Sequence, residues 1–194
     1  MAKYFKEHDK IFVVPNGAKE IIDNLPADQY ILSYDILTGL FLKRANSFSL
    51  PEKVFGDIEV RVDRVLKTYH YRNCNTGVLL SGDKGSGKTM FAKMLSIRAK
   101  ELGIPTVIVD SNFTEVGFNK FICDISDKCI VMFDEFEKVF DGDDDQNKVL
   151  TLFDGTYQSN KLFVLTANQT HKISDFILNR PGRVYYHFRY PGIS

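Results

Sequence analysis

The sequence predicts an α/β fold in which strands alternate with helices around one phosphate-binding loop, and three observations carry the prediction. Ser81-Gly82-Asp83-Lys84-Gly85-Ser86-Gly87-Lys88-Thr89 satisfies G-x-x-x-x-G-K-[ST] in full. It lies between the strand-like run Gly77-Val78-Leu79-Leu80 and, from Met90, the apolar residues Phe91, Met94, Leu95 and Leu102 at helical spacing. That is the strand, loop, helix context in which such a motif works. A second apolar run, Cys129-Ile130-Val131-Met132-Phe133, ends in Asp134-Glu135. This is the form of a central strand that delivers acids at its C-terminal edge, where ligand sites of open α/β sheets lie.

The loop chemistry follows from residue type. Gly82, Gly85 and Gly87 let the backbone curl so that its N–H groups point at phosphate oxygens, and the following helix turns its positive dipole end toward them. Lys88 reaches the β- and γ-phosphates of ATP or the β-phosphate of ADP, and the Thr89 hydroxyl is a ligand for Mg²⁺. Asp83, Lys84, Ser86 and Met90 complete the nucleotide-contacting stretch. Asp134 completes the Mg²⁺ shell through water, and Glu135 polarises the attacking water.

Composition excludes several other classes. A chain of 194 residues makes one well-packed domain with room for a small appendage. Its 25 basic and 25 acidic residues leave no global field that would attract nucleic acid. Three cysteines without C-x-x-C spacing argue against a disulfide framework or a zinc site and for a reducing compartment. Residues 1–10 are polar and charged, unlike a signal peptide, and no apolar run approaches the roughly 20 residues of a membrane span. A soluble, cytoplasmic protein with no membrane span in this chain is expected.

In chain order, residues 1–50 read as a small N-terminal α/β appendage. Residues 11–14 are β-like and closed by Pro15-Asn16-Gly17, residues 18–25 suit two helical turns, and residues 30–34 and 39–43 suit two short strands joined by Asp35-Ile36-Leu37-Thr38. Pro51 marks the entry to the main domain, residues 51–194. Ile58, Val62, Val65, Leu66 and Tyr69 define one helix face. The loop helix stops at Leu102-Gly103-Ile104-Pro105, a strand follows over residues 106–110, and Phe118, Phe121, Ile122 and Ile125 mark another helix. Asp141-Gly142-Asp143-Asp144-Asp145 lacks the glutamate of a calcium loop and reads as a solvated, mobile loop. A short helix around Val149, Leu150 and Phe153, a strand over residues 162–167 ending at Asn168, a helix over residues 176–180 and a last strand over residues 184–190 complete the chain.

The phosphate loop, Phe133-Asp134-Glu135, Phe153-Asp154-Gly155, Thr166-Ala167-Asn168 and Arg180-Pro181-Gly182-Arg183 occur in an order that resembles the AAA+ ATPases, in particular the AAA branch proper and its BCS1-like members. The match covers about residues 54–190. It implies a three-layer domain with a parallel sheet ordered 5-1-4-3-2 and an ATPase working in a ring, a hexamer in the usual case. By that resemblance Asn168 is similar to the polar residue that helps place the attacking water. Arg180 and Arg183 are similar to arginines that reach the γ-phosphate held by a neighbouring subunit. Gly56 and Asp57 are similar to a segment flanking adenine. Two departures stand out: the chain stops at Ser194, where family members continue into a helical lid, and Glu115-Val116-Gly117 lacks the aromatic residue that threading enzymes place before Val-Gly. Phe113 and Phe118 lie nearby and equally suit core positions. The expected function is ATP hydrolysis at subunit interfaces that remodels a macromolecule. A DNA-replication ATPase such as a helicase or clamp loader, and an ATP-gated assembly switch with little turnover, are the competing readings.

Overall fold

The computed structural model describes residues 3–7, 10–14, 22–54, 56–153, 159–174, 177 and 183–191. Strands β1 (Lys3–Glu7) and β2 (Lys10–Val14) form an antiparallel pair of their own. Strands β3 (Gln29–Asp35) and β4 (Gly39–Arg44) follow as a hairpin whose turn is held by Asp35 Oδ1, which accepts the Leu37 and Thr38 amides at 2.9 and 3.2 Å. Helix α1 (Ile58–Tyr71), strand β5 (Thr76–Gly82), helix α2 (Lys88–Glu101), strand β6 (Thr106–Val109), helix α3 (Phe118–Asp124), strand β7 (Cys129–Phe133), helices α4 (Phe136–Val139) and α5 (Asp143–Phe153), and strands β8 (Lys161–Ala167) and β9 (Tyr186–Tyr190) follow, with short 3-10 turns at Thr114–Val116 and Thr170–Lys172.

Seven strands form one sheet in the order β4-β3-β6-β7-β8-β5-β9, and all neighbours are parallel except β3 and β4. Counting only β5 to β9 in chain order and reading inward from β9, the order is 5-1-4-3-2. The predicted boundary at residue 50 is therefore not a boundary of the sheet, because β3 pairs with β6 through Gln29↔Thr106 and Ile31↔Ile108. The physical reason is the edge: without β3, the outer side of β6 would present unpaired backbone groups. Asp28 fastens the junction. Its buried carboxylate takes Lys100 of α2 at 2.9 Å and is also paired with Arg44, and mainly the Lys100 hydrogen bond holds its pKa down at about 2.

The central strands are buried on both faces, as the apolar runs of a doubly covered parallel sheet require. On one face Val78, Leu80, Ile130, Met132, Leu162 and Val164 pack under α1 and α2. On the other, Leu79, Val131, Phe133, Phe163 and Leu165 pack under α3, α4 and α5. The three-layer arrangement is thus present. The α1 face is buried at Ile58, Val62, Val65, Leu66 and Tyr69, the set the periodicity gives. Leu102 departs from its expected place: α2 ends at Glu101, so the period no longer applies and Leu102 is 62 % exposed.

The acidic run 141–145 is not a loop throughout, because Asp143, Asp144 and Asp145 form the first turn of α5, where the positive end of the helix dipole favours carboxylates. Phe118 is buried and Phe113 packs on the same core, which makes both core residues. The expected helix over residues 18–25 lies partly outside the described residues, and the expected helix over residues 176–180 lies almost wholly outside them. Among the described residues, no helix is long and apolar enough to cross a membrane.

Candidate functional site

The phosphate loop joins β5 to α2 at the C-terminal edge of the sheet. Gly82 has φ 141°, and a Cβ there would lie 1.9 Å from the Tyr190 carbonyl oxygen at the end of β9. Only glycine lets the loop leave β5 past that strand. Gly85 and Gly87 also take positive φ, and Gly87 opens α2 in the left-handed region. Lys88 is buried, and its Nζ donates to the carbonyls of Gly82 at 2.7 Å and Asp83 at 2.8 Å. Burial pushes the Lys88 pKa down, and the surrounding carboxylates Glu137, Asp83, Asp134 and Glu135 oppose that shift. Asp83, Lys84, Gly85 and Thr89 are exposed, with Thr89 on the first turn of α2.

Across the edge, β7 delivers Asp134 and Glu135. The ladder between β7 and β8 ends at Phe133↔Leu165, and side chains take over from there. The Thr166 hydroxyl donates to Asp134 Oδ1 at 2.7 Å and accepts the Glu135 amide at 2.8 Å. Asn168 Nδ2 donates to Glu135 Oε1 at 2.8 Å. Lys138 Nζ donates to the other oxygen, Oε2, at 2.6 Å. That hydrogen bond is the main reason the Glu135 carboxyl sits below the ordinary glutamate range. Glu135 itself has φ 51° and ψ 54°, a conformation uncommon for a residue with a side chain. Such residues cluster at functional sites, where the surroundings hold them in place.

The structure therefore brings together the phosphate loop, Lys88, Thr89, Asp134, Glu135 and Asn168 at one sheet edge. Gly56, at φ 83°, and Asp57 stand at the N-terminus of α1, whose first residue, Ile58, lies 3.9 Å from the position of a Cβ on Gly87. Arg180 lies outside the described residues. Arg183 is 5 % exposed, and its carbonyl oxygen lies 2.0 Å from the position of a Cβ on Gly77, near the start of β5. That is the opposite end of the strand from the phosphate loop, about 17 Å away at the usual rise per residue.

Mg²⁺ is a hard cation that takes one or two protein oxygens together with phosphate oxygens and water. The donor set fits: Thr89 offers a hydroxyl, Asp134 a carboxylate, and among the described residues no cluster of three or more His, Cys, Asp or Glu forms a dedicated metal cage. Two residues of the site carry no role in the sequence reading. Thr166 is visible there only as part of a motif, and Glu137, buried beside the exit of β8, gives no local signal at all.

The model of the AAA family, described as ATPase family associated with various cellular activities, matches residues 78–191. A putative cell division cycle ATPase of Plasmodium falciparum is 31% identical over 131 residues, 58% of this chain and 10% of that protein. The chloroplastic ATP-dependent zinc metalloprotease FTSH 6 of Arabidopsis thaliana is 33% identical over 131 residues, 55% of this chain and 18% of that protein. The peroxisomal ATPase PEX1 of Cricetulus griseus is 30% identical over an alignment of 200 residues, 88% of this chain and 14% of that protein. The chain spans less than a fifth of the length of these relatives. With the family model covering more than half of its residues, including the phosphate loop and the Asp134-Glu135 edge, the chain belongs to the AAA family of ATPases.

Proposed function

We propose that the chain binds ATP with Mg²⁺ and hydrolyses it, and that the energy remodels a macromolecule as part of a ring of like subunits. The observation that carries the reading is the set of hydrogen bonds joining Asp134, Glu135, Thr166 and Asn168 beside the Lys88 loop. Lys88 and the loop amides bind the phosphates. Thr89 and Asp134 would hold Mg²⁺, which when bound supplies charge neutralisation on the transferring phosphoryl group. Asn168 fixes the Glu135 carboxylate, and Glu135 accepts a hydrogen bond from the attacking water. Most of the rate effect then comes from positioning and preorganised charge.

The Arg180-Pro181-Gly182-Arg183 segment supports a place among the AAA branch proper and its BCS1-like members. The location of Arg183 at the far end of β5 supports action in trans, on a neighbour's nucleotide, for which its buried side chain would have to turn outward. A relative whose name specifies an ATP-dependent metalloprotease supports remodelling of proteins more than of DNA.

One observation favours a second reading. Lys138 occupies Glu135 Oε2, which suits an ATP-gated switch with little turnover. Replacing Glu135 with Gln separates the two: the ATPase reading expects retained nucleotide binding and turnover lowered about 10²- to 10⁴-fold. Wild-type turnover no faster than that of Glu135→Gln, with tight ATP binding in both, would establish the switch instead.

A further inference from the structure

The first turn of α4 carries a third carboxylate, two residues past Glu135. Glu137 is 4 % exposed, and a glutamate is rarely buried so deeply without partners. One of its oxygens, Oε1, accepts two backbone amides, Asn168 N at 2.8 Å and Gln169 N at 3.3 Å. The other, Oε2, is buried with no hydrogen-bond partner.

This placement answers a specific need. The β7–β8 ladder stops at Phe133↔Leu165 and β8 ends at Ala167, so the amides of residues 168 and 169 have left the sheet. Asn168 is half-buried and Gln169 exposed, so the need is one of position: a segment held by nothing would let the Asn168 side chain drift. The Glu137 carboxylate meets both amides with charge-assisted hydrogen bonds, the stronger kind. Asn168 is thereby fixed twice to the same short segment: its backbone to Glu137, and its side chain to Glu135 Oε1. We propose that Glu137 is a positioning residue for hydrolysis, clamping the backbone of Asn168 and Gln169 so that the Asn168 amide holds Glu135 at the angle from which it can hold the attacking water. The inference rests on the ATPase reading above. Glu137 touches no reacting atom in this scheme, and nucleotide binding does not pass through it.

Two substitutions separate the clamp from a general structural role. Glu137→Gln retains an oxygen that can accept both amides, whereas Glu137→Ala removes it. In steady-state kinetics with saturating ATP and Mg²⁺, Glu137→Ala is expected to lower kcat about 10²-fold, the scale of an ångström-sized misplacement, with KM and nucleotide affinity essentially unchanged. Glu137→Gln is expected to restore most of kcat. Hydrogen exchange of the amides of residues 168 and 169 should accelerate in Glu137→Ala and stay slow in Glu137→Gln. That readout needs no turnover, so an inactive wild type would count against the ATPase reading while leaving the clamp open to measurement.

If Glu137→Ala does not fold, Glu137→Asp takes its place: it keeps the charge but withdraws the oxygen by one methylene, and the same selective loss of kcat is expected. Wild-type kcat in Ala or Asp, a parallel loss of nucleotide affinity and kcat, or a Gln variant with protected amides but no recovered turnover would each overturn the proposal.

Discussion

Two lysines, at opposite edges of one sheet, show how the same side chain serves different ends. Lys161 opens β8 at the N-terminal edge, and its Nζ donates to the carbonyls of Ile125, Asp127 and Ser159 at 2.6, 2.7 and 2.8 Å. Lys88 opens α2 at the C-terminal edge, where its Nζ donates to two carbonyls at 2.7 and 2.8 Å and reaches the Ser86 hydroxyl only at 3.5 Å. Both ammonium groups are buried, and burial is the main cause that pushes both pKa values down. An ammonium has three donors. In Lys161 all three are well used. In Lys88 the third is weakly used, and the charges that oppose desolvation are the carboxylates of the candidate site. The difference teaches that burial alone does not set a lysine apart; what distinguishes Lys88 is a weakly used donor beside a carboxylate cluster.

The largest expected effect would sharpen that contrast. Lys161→Met leaves three half-buried carbonyls without this donor, at about 1–3 kcal/mol for each group left unmet. Chemical unfolding should therefore show a loss of at least about 3 kcal/mol, while ATP affinity of the folded fraction stays unchanged. A stable Lys161→Met variant would remove the structural half of the comparison. Next comes Lys88→Met, for which hydrogen bonds from a charged group predict a loss of about 1.5–3 kcal/mol in ATP binding by titration calorimetry and little change in stability. Equal ATP affinity in the variant, or unfolding as severe as that of Lys161→Met, would break the comparison.

The smallest effect concerns a third lysine, the exposed Lys138. Because its hydrogen bond lowers the Glu135 pKa, the carboxylate persists to pH values below the ordinary glutamate range. The acid limb of the turnover profile should then lie below that range in the wild type and move upward in Lys138→Met. The sign for stability is the same: a depressed carboxylate pKa contributes stability that is present above the unfolded-state value and lost as pH falls through the folded-state value. An acid limb unmoved by Lys138→Met would mean that the ion pair does not control the group that sets it.

How much of this was legible depended on how far apart the partners lie. The α1 face could be read because its five apolar residues sit within three turns of one helix, and the phosphate loop because nine consecutive residues carry it. The expectation for Leu102 erred because a period continues on paper after the helix has ended. The acidic run misled because like charges suggest a solvated loop, yet three of them are at home on a helix N-terminus. Glu137 could not be found at all, since its partners are about thirty residues away and belong to the backbone, which has no residue type to recognise.

The sequence by itself determined the alternation of strands and helices, the phosphate loop with Lys88 and Thr89, and the strand that ends in Asp134-Glu135. These are local matters, set by side-chain period, by glycines that permit positive φ and by the chemistry of adjacent residues. Tertiary structure alone decided that residues 29–44 would extend the sheet beside β6, that Gly82 must pass the Tyr190 carbonyl, and that Thr166 would meet Asp134, Asn168 would meet Glu135 and Glu137 would hold the Asn168 backbone. Each of these depends on which strand lies next to which. That choice is made by burying both faces of the sheet and pairing its edges across the whole chain, and no window of neighbouring residues contains it.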